Sequence, residues 1–447
     1  MKKLKNVCIM LVMLSMIVSC GNKAKNDKAI TDTNSESEEQ PPNIVFILSD
    51  DQSWTDYSFM GNENIETPRL DKLASESLTF TRGYVPTSLC SPSLATIITG
   101  LYPKDHGILG NDIPYERTKD REESKKNRSE AYKPIIPHFE KLITLPDLLK
   151  EKGYLSFQTG KWWHGNHKIG GFDYGMTHGD PNRGGRHGDY GLEIGRKGLD
   201  TINSYVDLAL KEKKPFFLWY APFLPHAPHT PPKRLLDKYL TKTDSEYVAK
   251  YWAMCEWFDE TCGQLFDLID DKGLTENTLF VYVCDNGWVQ NPNKSTYVNN
   301  SKRAPYDLGI RTPIMYKWAG QIKPKMDTET VVSSIDMVPT VLDILDIEKP
   351  ESLSGISVLD EEELEERDII FGEIYAHDFE TIESSMYYKI AISKPYKLII
   401  PDPVRKKGES IQLFNIDEDP FEKTNIAENN PKIVEKLKEK INAFRAE

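Results

Sequence analysis

The sequence predicts an α/β fold: a large central, mostly parallel sheet flanked by helices, followed by a small C-terminal α+β subdomain of antiparallel sheet plus helix. Three observations predict it. Four continuous apolar runs each end in a carboxylate, a lysine or a histidine-bearing segment. Helical patterns lie between those runs, and alternation of strand and helix favours a parallel sheet. Past residue 366 the spacing changes to short strand candidates with turns between them, closed by one last helix.

The first run is Asn43-Ile44-Val45-Phe46-Ile47-Leu48, leading to Ser49-Asp50-Asp51. The second, Leu155-Ser156-Phe157-Gln158, leads to Thr159-Gly160-Lys161, and the third, Phe216-Phe217-Leu218-Trp219-Tyr220, to a Pro/His segment ending at His229. The fourth, Leu279-Phe280-Val281-Tyr282-Val283-Cys284, meets Asp285-Asn286-Gly287. Runs without polar alternation suit strands buried on both faces. Helices are expected at 68–77, at 145–152 with Gly153 as the stop, and at 245–272. In the last of these Val248, Tyr251, Trp252, Cys255, Phe258, Cys262, Leu265, Phe266 and Ile269 follow the i, i+3, i+4 rule. The catalytic domain is expected over 43–365 and the subdomain over 366–447, with strands near 369–371, 387–392, 396–400 and 412–414 and a helix at 431–444. In open α/β sheets functional groups gather at the carboxyl ends of the strands, where these four polar endings fall.

The net charge of −13 argues against a general nucleic-acid binder. It leaves room for an anionic substrate, because a local basic pocket can sit in an acidic protein. At the N-terminus Lys2, Lys3 and Lys5 precede an apolar stretch, residues 7–18, that is too short to span a bilayer comfortably. It ends Ile17-Val18-Ser19-Cys20-Gly21, which resembles a bacterial lipobox. The expectation is a signal peptide over 1–20, lipidation at Cys20, and attachment to the membrane of the bacterial cell envelope, in the periplasm or on the outer-membrane surface. Residues 21–42 are polar and read as a flexible tether. Cys255 and Cys262 share a helix with about 10 Å of rise between them, beyond disulfide reach. Cys284 ends a strand and reads as core.

Asp50-Asp51 and Asp285-Asn286 supply the oxygen ligands that hard cations such as Ca²⁺ take. An adjacent aspartate pair is costly unless a cation neutralises it. Cys90-Ser91-Pro92-Ser93-Leu94-Ala95-Thr96 opens a helical segment, since Ser and Pro suit a first turn. A nucleophile at that position feels the helix dipole. Considered alone, a cysteine such as Cys90 is more commonly a buried structural residue.

These pieces together resemble the type I, formylglycine-dependent sulfatases of the alkaline-phosphatase-like superfamily. The resemblance rests on residues 43–52, Cys90-Ser91-Pro92-Ser93, Thr99-Gly100-Leu101-Tyr102-Pro103, Gly160-Lys161-Trp162, Pro225-His226-Ala227-Pro228-His229, Asp285-Asn286-Gly287, residues 302–313, residues 334–340, and the closing stretch 413–425. It covers about 43–428 and implies a sulfuric ester hydrolase acting on a sulfated carbohydrate, an algal polysaccharide or a glycosaminoglycan. It assigns formylglycine (3-oxoalanine) to Cys90 and one Ca²⁺ to Asp50, Asp51, Cys90, Asp285 and Asn286. Lys161 and Lys302 become sulfate-neutralising lysines, a point-charge task, and His226 becomes the acid for the leaving group. It also implies a sulfatase-maturation enzyme as partner.

Two features depart from the family pattern. Leu94 stands where Arg normally follows the cysteine, which predicts incomplete conversion of Cys90 and calls for supporting charge from Lys161, Lys302, the metal or Arg82. Lys161-Trp162-Trp163-His164 carries one more Trp than the usual Lys-Trp-His, so His164 is a catalytic candidate of altered phase. The Gly/His/Arg-rich segment 176–196 offers His178, Arg183, Arg186 and His187 as anionic-sugar contacts, or reads as a solvated loop. His229 is a further substrate-binding candidate, and His377 could reach the pocket from the subdomain. Competing readings are a phosphoesterase or phosphonate hydrolase of the same superfamily, disfavoured by Pro92 and Ser93, and an unmodified glycan-binding relic, disfavoured by the intact ligand set.

Overall fold

A computed structural model describes residues 41–179 and 187–446. The expected α/β architecture is present. Its main sheet holds β1 (Asn43–Ser49), β2 (Leu78–Tyr84), β3 (Leu155–Gly160), β4 (Tyr174–Gly175), β5 (Phe216–Ala221), β6 (Thr278–Cys284), β7 (Arg311–Lys317) and β8 (Lys325–Ser333). Their order is β4-β3-β5-β1-β6-β7-β2-β8. β4, β3, β5, β1 and β6 run parallel to one another, while β7 is antiparallel to both β6 and β2.

Alternate residues of β1 explain its unbroken apolar run. Ile44, Phe46 and Leu48 enter one core with Leu94, Ala95, Ile97 and Ile98 of α2 (Cys90–Thr99). Val45 and Ile47 enter a second core on the other face, with Met254, Phe258, Cys262 and Leu265 of the long helix Glu246–Asp271. Leu70 and Leu73 of α1 (Pro68–Ser75) join that second core. A strand covered by helices on both sides needs no polar face, and each such buried side chain contributes about 1.5–3 kcal/mol.

The subdomain forms a separate antiparallel sheet of β9 (Ile370–Tyr375), β10 (Met386–Ser393), β11 (Tyr396–Pro401) and β12 (Gln412–Asn415), ordered β12-β11-β10-β9. One face, with Ile390, Ile392, Ile399 and Phe414, joins the first core of the main sheet. The other, with Ala391, Leu398 and Leu413, packs on Leu437 and Ile441 of the helix Pro431–Ala446.

Several elements differ from expectation. α1 stops at Ser75, and the helix at Leu145–Leu149 passes into a 3-10 turn over Lys150–Lys152. β2, β7 and β8 did not announce themselves. β2 is bulged between Phe80 and Gly83, β7 contains Pro313, and β8 carries the charged residues Lys325, Asp327 and Glu329 on a partly exposed edge. Helices at Arg121–Tyr132, Asp200–Glu212 and Met337–Ile344 are further additions. Cys90, Cys255, Cys262 and Cys284 are all free and buried.

Candidate active site

Strand register builds the site. β1 and β6 pair in step from Asn43↔Thr278 to Ser49↔Cys284, so both chains leave the sheet at one level. Asp285 N donates to Ser49 O at 3.0 Å, and Asp51 N donates to Asp285 Oδ1 at 3.1 Å. Asp51 is held at φ 65, a left-handed conformation that costs a non-glycine residue roughly 1–2 kcal/mol. On the far side of β5, Gly160 pairs with Ala221, and Lys161 N donates to Ala221 O at 2.7 Å. A Cβ at Gly160 would lie 1.9 Å from Ala221 O, so only glycine lets the two strands deliver Lys161 here.

The side chains meet in a buried cluster. Lys161 Nζ donates to Asp50 Oδ1 at 2.5 Å and to Asp285 Oδ2 at 3.2 Å. Lys302 Nζ donates to Asp51 Oδ1 at 2.5 Å and reaches Cys90 Sγ at 3.2 Å. Asn286 Nδ2 donates to Asp51 Oδ1 at 2.7 Å. His226 Nδ1 donates to Ala227 O at 2.5 Å, which leaves Nε2 3.5 Å from Asp51 Oδ2. Cys90 heads α2, where Ser91 N donates to Asn111 Oδ1 at 2.9 Å.

Burial works against the charge on Lys161 and Lys302, yet Asp285 and Asp50 hold Lys161, and Asp51 holds Lys302, well above the usual lysine range. Burial raises Asp50 and Asp285, each countered in part by Lys161. For Asp51 burial is outweighed by Lys302, His226 and Lys161, and the carboxyl lies below the usual range. Burial pushes the Cys90 thiol up to about 12 despite both lysines, and takes His226 down to about 3 against the pull of Asp51.

Three carboxylates and two ammonium groups leave this cluster one net negative charge. Asp50 Oδ2, Asp51 Oδ2 and Asn286 Oδ1 are buried and meet no hydrogen-bond donor among the described residues. Ligand atoms of Asp50, Asp51, Cys90 and His226 lie within 4.8 Å of one another. Converging orphaned oxygens with a negative surplus fit a hard divalent cation.

A sequence model described as Sulfatase matches residues 42–347, and one described as N-sulphoglucosamine sulphohydrolase, C-terminal, matches residues 297–447. The chain belongs to the sulfatase family. It is therefore a sulfuric ester hydrolase, of a family that generally uses formylglycine and a divalent metal. An ulvan-active sulfatase of Formosa agariphila is 26% identical over 383 residues, covering 78% of this chain and 69% of that one. N-acetylgalactosamine-6-sulfatase of Rattus norvegicus is 26% identical over 364 residues, covering 72% of this chain and 65% of that one. A solved structure of a protein in complex with its substrate D-glucosamine-2-N,6-O-disulfate shares the fold, with TM-score 0.68 and 19% identity over 91% of this sulfatase and 98% of that chain.

The other sequence candidates scatter. His164 does not join the cluster. Its ring is fully buried, stacked at 3.8 Å on Phe139 and edge-on to Trp162, with neither nitrogen hydrogen-bonded among the described residues. The residue one place earlier, Trp163, is the one that faces His187. His229 sits between Tyr251 and Trp288, whose ring also lies 5.7 Å from Lys302 Nζ. His178 is exposed beside His167 and Tyr190. His377 Nδ1 is 2.5 Å from Asp378 Oδ1 and 3.9 Å from Asp112 Oδ2, a group separate from the metal cluster. Arg82 gives no support to Cys90: its guanidinium pairs with Asp417 at 2.8 Å and its Nε donates to Thr328 O. Arg183, Arg186 and Cys20 lie outside the described residues.

Arg196 was not foreseen as a site residue. It donates to Phe223 O and His226 O, fixing the loop that carries His226, and lies 5.7 Å from the Phe223 ring. Only its place in the Gly/His/Arg-rich segment hinted at it.

Proposed function

We propose that this sulfatase removes sulfate from a carbohydrate, a sulfated polysaccharide or its oligosaccharides, with formylglycine at position 90 and one Ca²⁺. The observation that carries it is the convergence of Cys90 Sγ, Lys302 Nζ and the Lys161–Asp50–Asp285 bridge at the carboxyl ends of the strands. The sugar class is supported by similarity to the ulvan-active and N-acetylgalactosamine-6-sulfatases.

Asp50, Asp51, Asp285 and Asn286 would hold the ion beside residue 90, where it supplies charge that polarises a sulfate oxygen and lowers the nucleophile's pKa. Formylglycine supplies, as its hydrate, the hydroxyl nucleophile that a thiol held protonated by burial does not. Lys161 and Lys302 hold fixed positive charge against the sulfate oxygens. His226, with its Nδ1 proton held by Ala227 O, presents Nε2 to the site and so orients one nitrogen toward the leaving oxygen. Phe223, stacked on His226 at 4.2 Å, keeps water from that side.

The N-terminus belongs to the same proposal. The basic residues 2–5, the apolar residues 7–18 and Cys20 support an exported, lipid-anchored protein of the bacterial cell envelope, and a sulfatase-maturation enzyme as its partner. Among the described residues no helix is long and apolar enough to cross a membrane.

The test is sulfate release, read by ion chromatography, from sulfated algal and glycosaminoglycan oligosaccharides. Cys90→Ala should lose release by at least about 10³-fold with its melting temperature unchanged. Near-normal release by that variant, or faster turnover of phosphate than of sulfate esters by the wild type, would refute the proposal.

A further inference from the structure

The chain returns to the site at residues 187–191. Trp162 N donates to His187 O at 3.0 Å, directly beside Lys161. Gly188 permits this approach: at φ 127 a Cβ there would stand 2.6 Å from Gly160 O and 3.1 Å from Trp162 N. The imidazole of His187 is thereby fixed against the cluster. Its ring centroid is 4.8 Å from Trp163, 5.5 Å from Phe223 and 6.2 Å from His226. Phe223 is the shared wall, with Lys161 Nζ at 5.8 Å and His226 stacked upon it. Lys161 and Asp51 are wholly buried, whereas His187 is half-buried and reaches solvent at the mouth.

We propose that His187 is a further catalytic residue: its imidazole hydrogen-bonds the bound sulfate ester beside His226. This rests on the sulfatase reading of the site. Among the described residues the inner wall offers Lys161 and Lys302 as charged donors to an anion, while the Nδ1 proton of His226 is taken by Ala227 O, and a ring N–H of His187 would meet the ester on its solvent side. Of the four residues that the 176–196 segment offered to an anionic sugar, the structure places His187 against the metal cluster and His178 away from it.

A packing role rests on the ring, which meets Trp163 edge-on and Phe223 and His226 at a tilt, and the backbone bond to Trp162 survives any substitution. His187→Phe keeps the ring and removes the N–H. Its kcat/KM for a sulfated oligosaccharide, normalised to the formylglycine content of each preparation, should fall about 10²-fold, as should that of His187→Ala. His187→Gln, which keeps a donor, should recover part of the loss. In the full-length Cys90→Ala background, calorimetric Kd for inorganic sulfate should rise by roughly tenfold on adding His187→Phe. A His187→Phe enzyme within about 3-fold of wild-type kcat/KM, under the same discrimination by fold-change, would overturn the proposal while leaving the sulfatase reading intact. A wild-type enzyme that releases no sulfate from any ester would overturn that reading, and the role of His187 with it.

Discussion

Removing the divalent cation should lower thermal stability by an amount the site's charges and the chain's size set. Without it, Asp50, Asp51 and Asp285 share two ammonium partners, and three buried oxygens have no hydrogen-bond partner among the described residues. A cation bound only by the folded state stabilises it by about 2.7 kcal/mol at a hundred times its Kd. Unfolding entropy near 60 °C is about 2.1 cal/mol/K per residue, so the compact unit Pro41–Glu447 changes by about 0.8 kcal/mol per degree. The melting temperature should therefore rise by roughly 3 °C between chelated protein and protein at that Ca²⁺ level. Scanning fluorimetry of chelated, Ca²⁺-loaded and Mg²⁺-loaded samples measures it. Asp285→Asn sharpens the test. It relieves the repulsion from Asp50 and Asp51 and leaves Lys161 its bond to Asp50, so the chelated variant should melt no lower than chelated wild type. Its cation-dependent gain should shrink. A gain equal to wild type would remove Asp285 from the ligand set, and no gain with any divalent cation would refute the metal site.

Three further outcomes are expected. Leu94 is 1% exposed in the first core, so Leu94→Arg should cost about 2–4 kcal/mol by denaturant titration yet raise the converted fraction of Cys90 by peptide mass spectrometry; full conversion of wild type would show that Leu94 is no handicap. Asp259 accepts from Arg69 N and Leu70 N at the start of α1, and burial raises its carboxyl to about 7 against an unfolded value of 3.8. The folded state then holds the extra proton between pH 4 and 7, so its contribution is present below that window and lost as pH rises through 7. Asp259→Asn should flatten the fall in urea stability between pH 5 and 8 by ~2 kcal/mol, and an unchanged slope would refute it. Lys397, fully buried between Asp307 at 2.8 Å and Glu422 at 2.7 Å, anchors the segment after Lys302 to the subdomain. Lys397→Met should destabilise by about 3–5 kcal/mol, and a loss under about 1 would mean the acids shed their charge instead.

The residues at the strand ends were legible because a parallel sheet encodes itself in unbroken apolar runs, and its register puts the next residues at one level. Asp50, Lys161 and Asp285 stand at those ends, and the family resemblance singled out His226 within the Pro/His segment that follows β5. The antiparallel and edge strands were not legible. β7 carries a proline, β2 a bulge, and β8 faces water along half its length, so none shows a clean period. His164 failed for a local reason: neighbouring side chains point in different directions, so His164 stacks on Phe139 while Trp163 meets His187. Arg82 failed for a distant one, since its partner Asp417 arrives from the subdomain more than three hundred residues later.

The charge balance explains how a chain of net charge −13 can bind an anion, and why the substitution at Leu94 matters to it. The site's five charged side chains sum to one negative charge, which repels a sulfate ester monoanion. A divalent cation reverses the sign to one positive charge, attractive at close range in a buried setting where salt screens little. An arginine at position 94 would have brought the same five groups to neutrality without the ion. With leucine there, the attractive sign depends on the cation alone among the charges at the base of the site. Sulfate binding to this enzyme should therefore be lost with the metal more completely than in a sulfatase that carries arginine at that position.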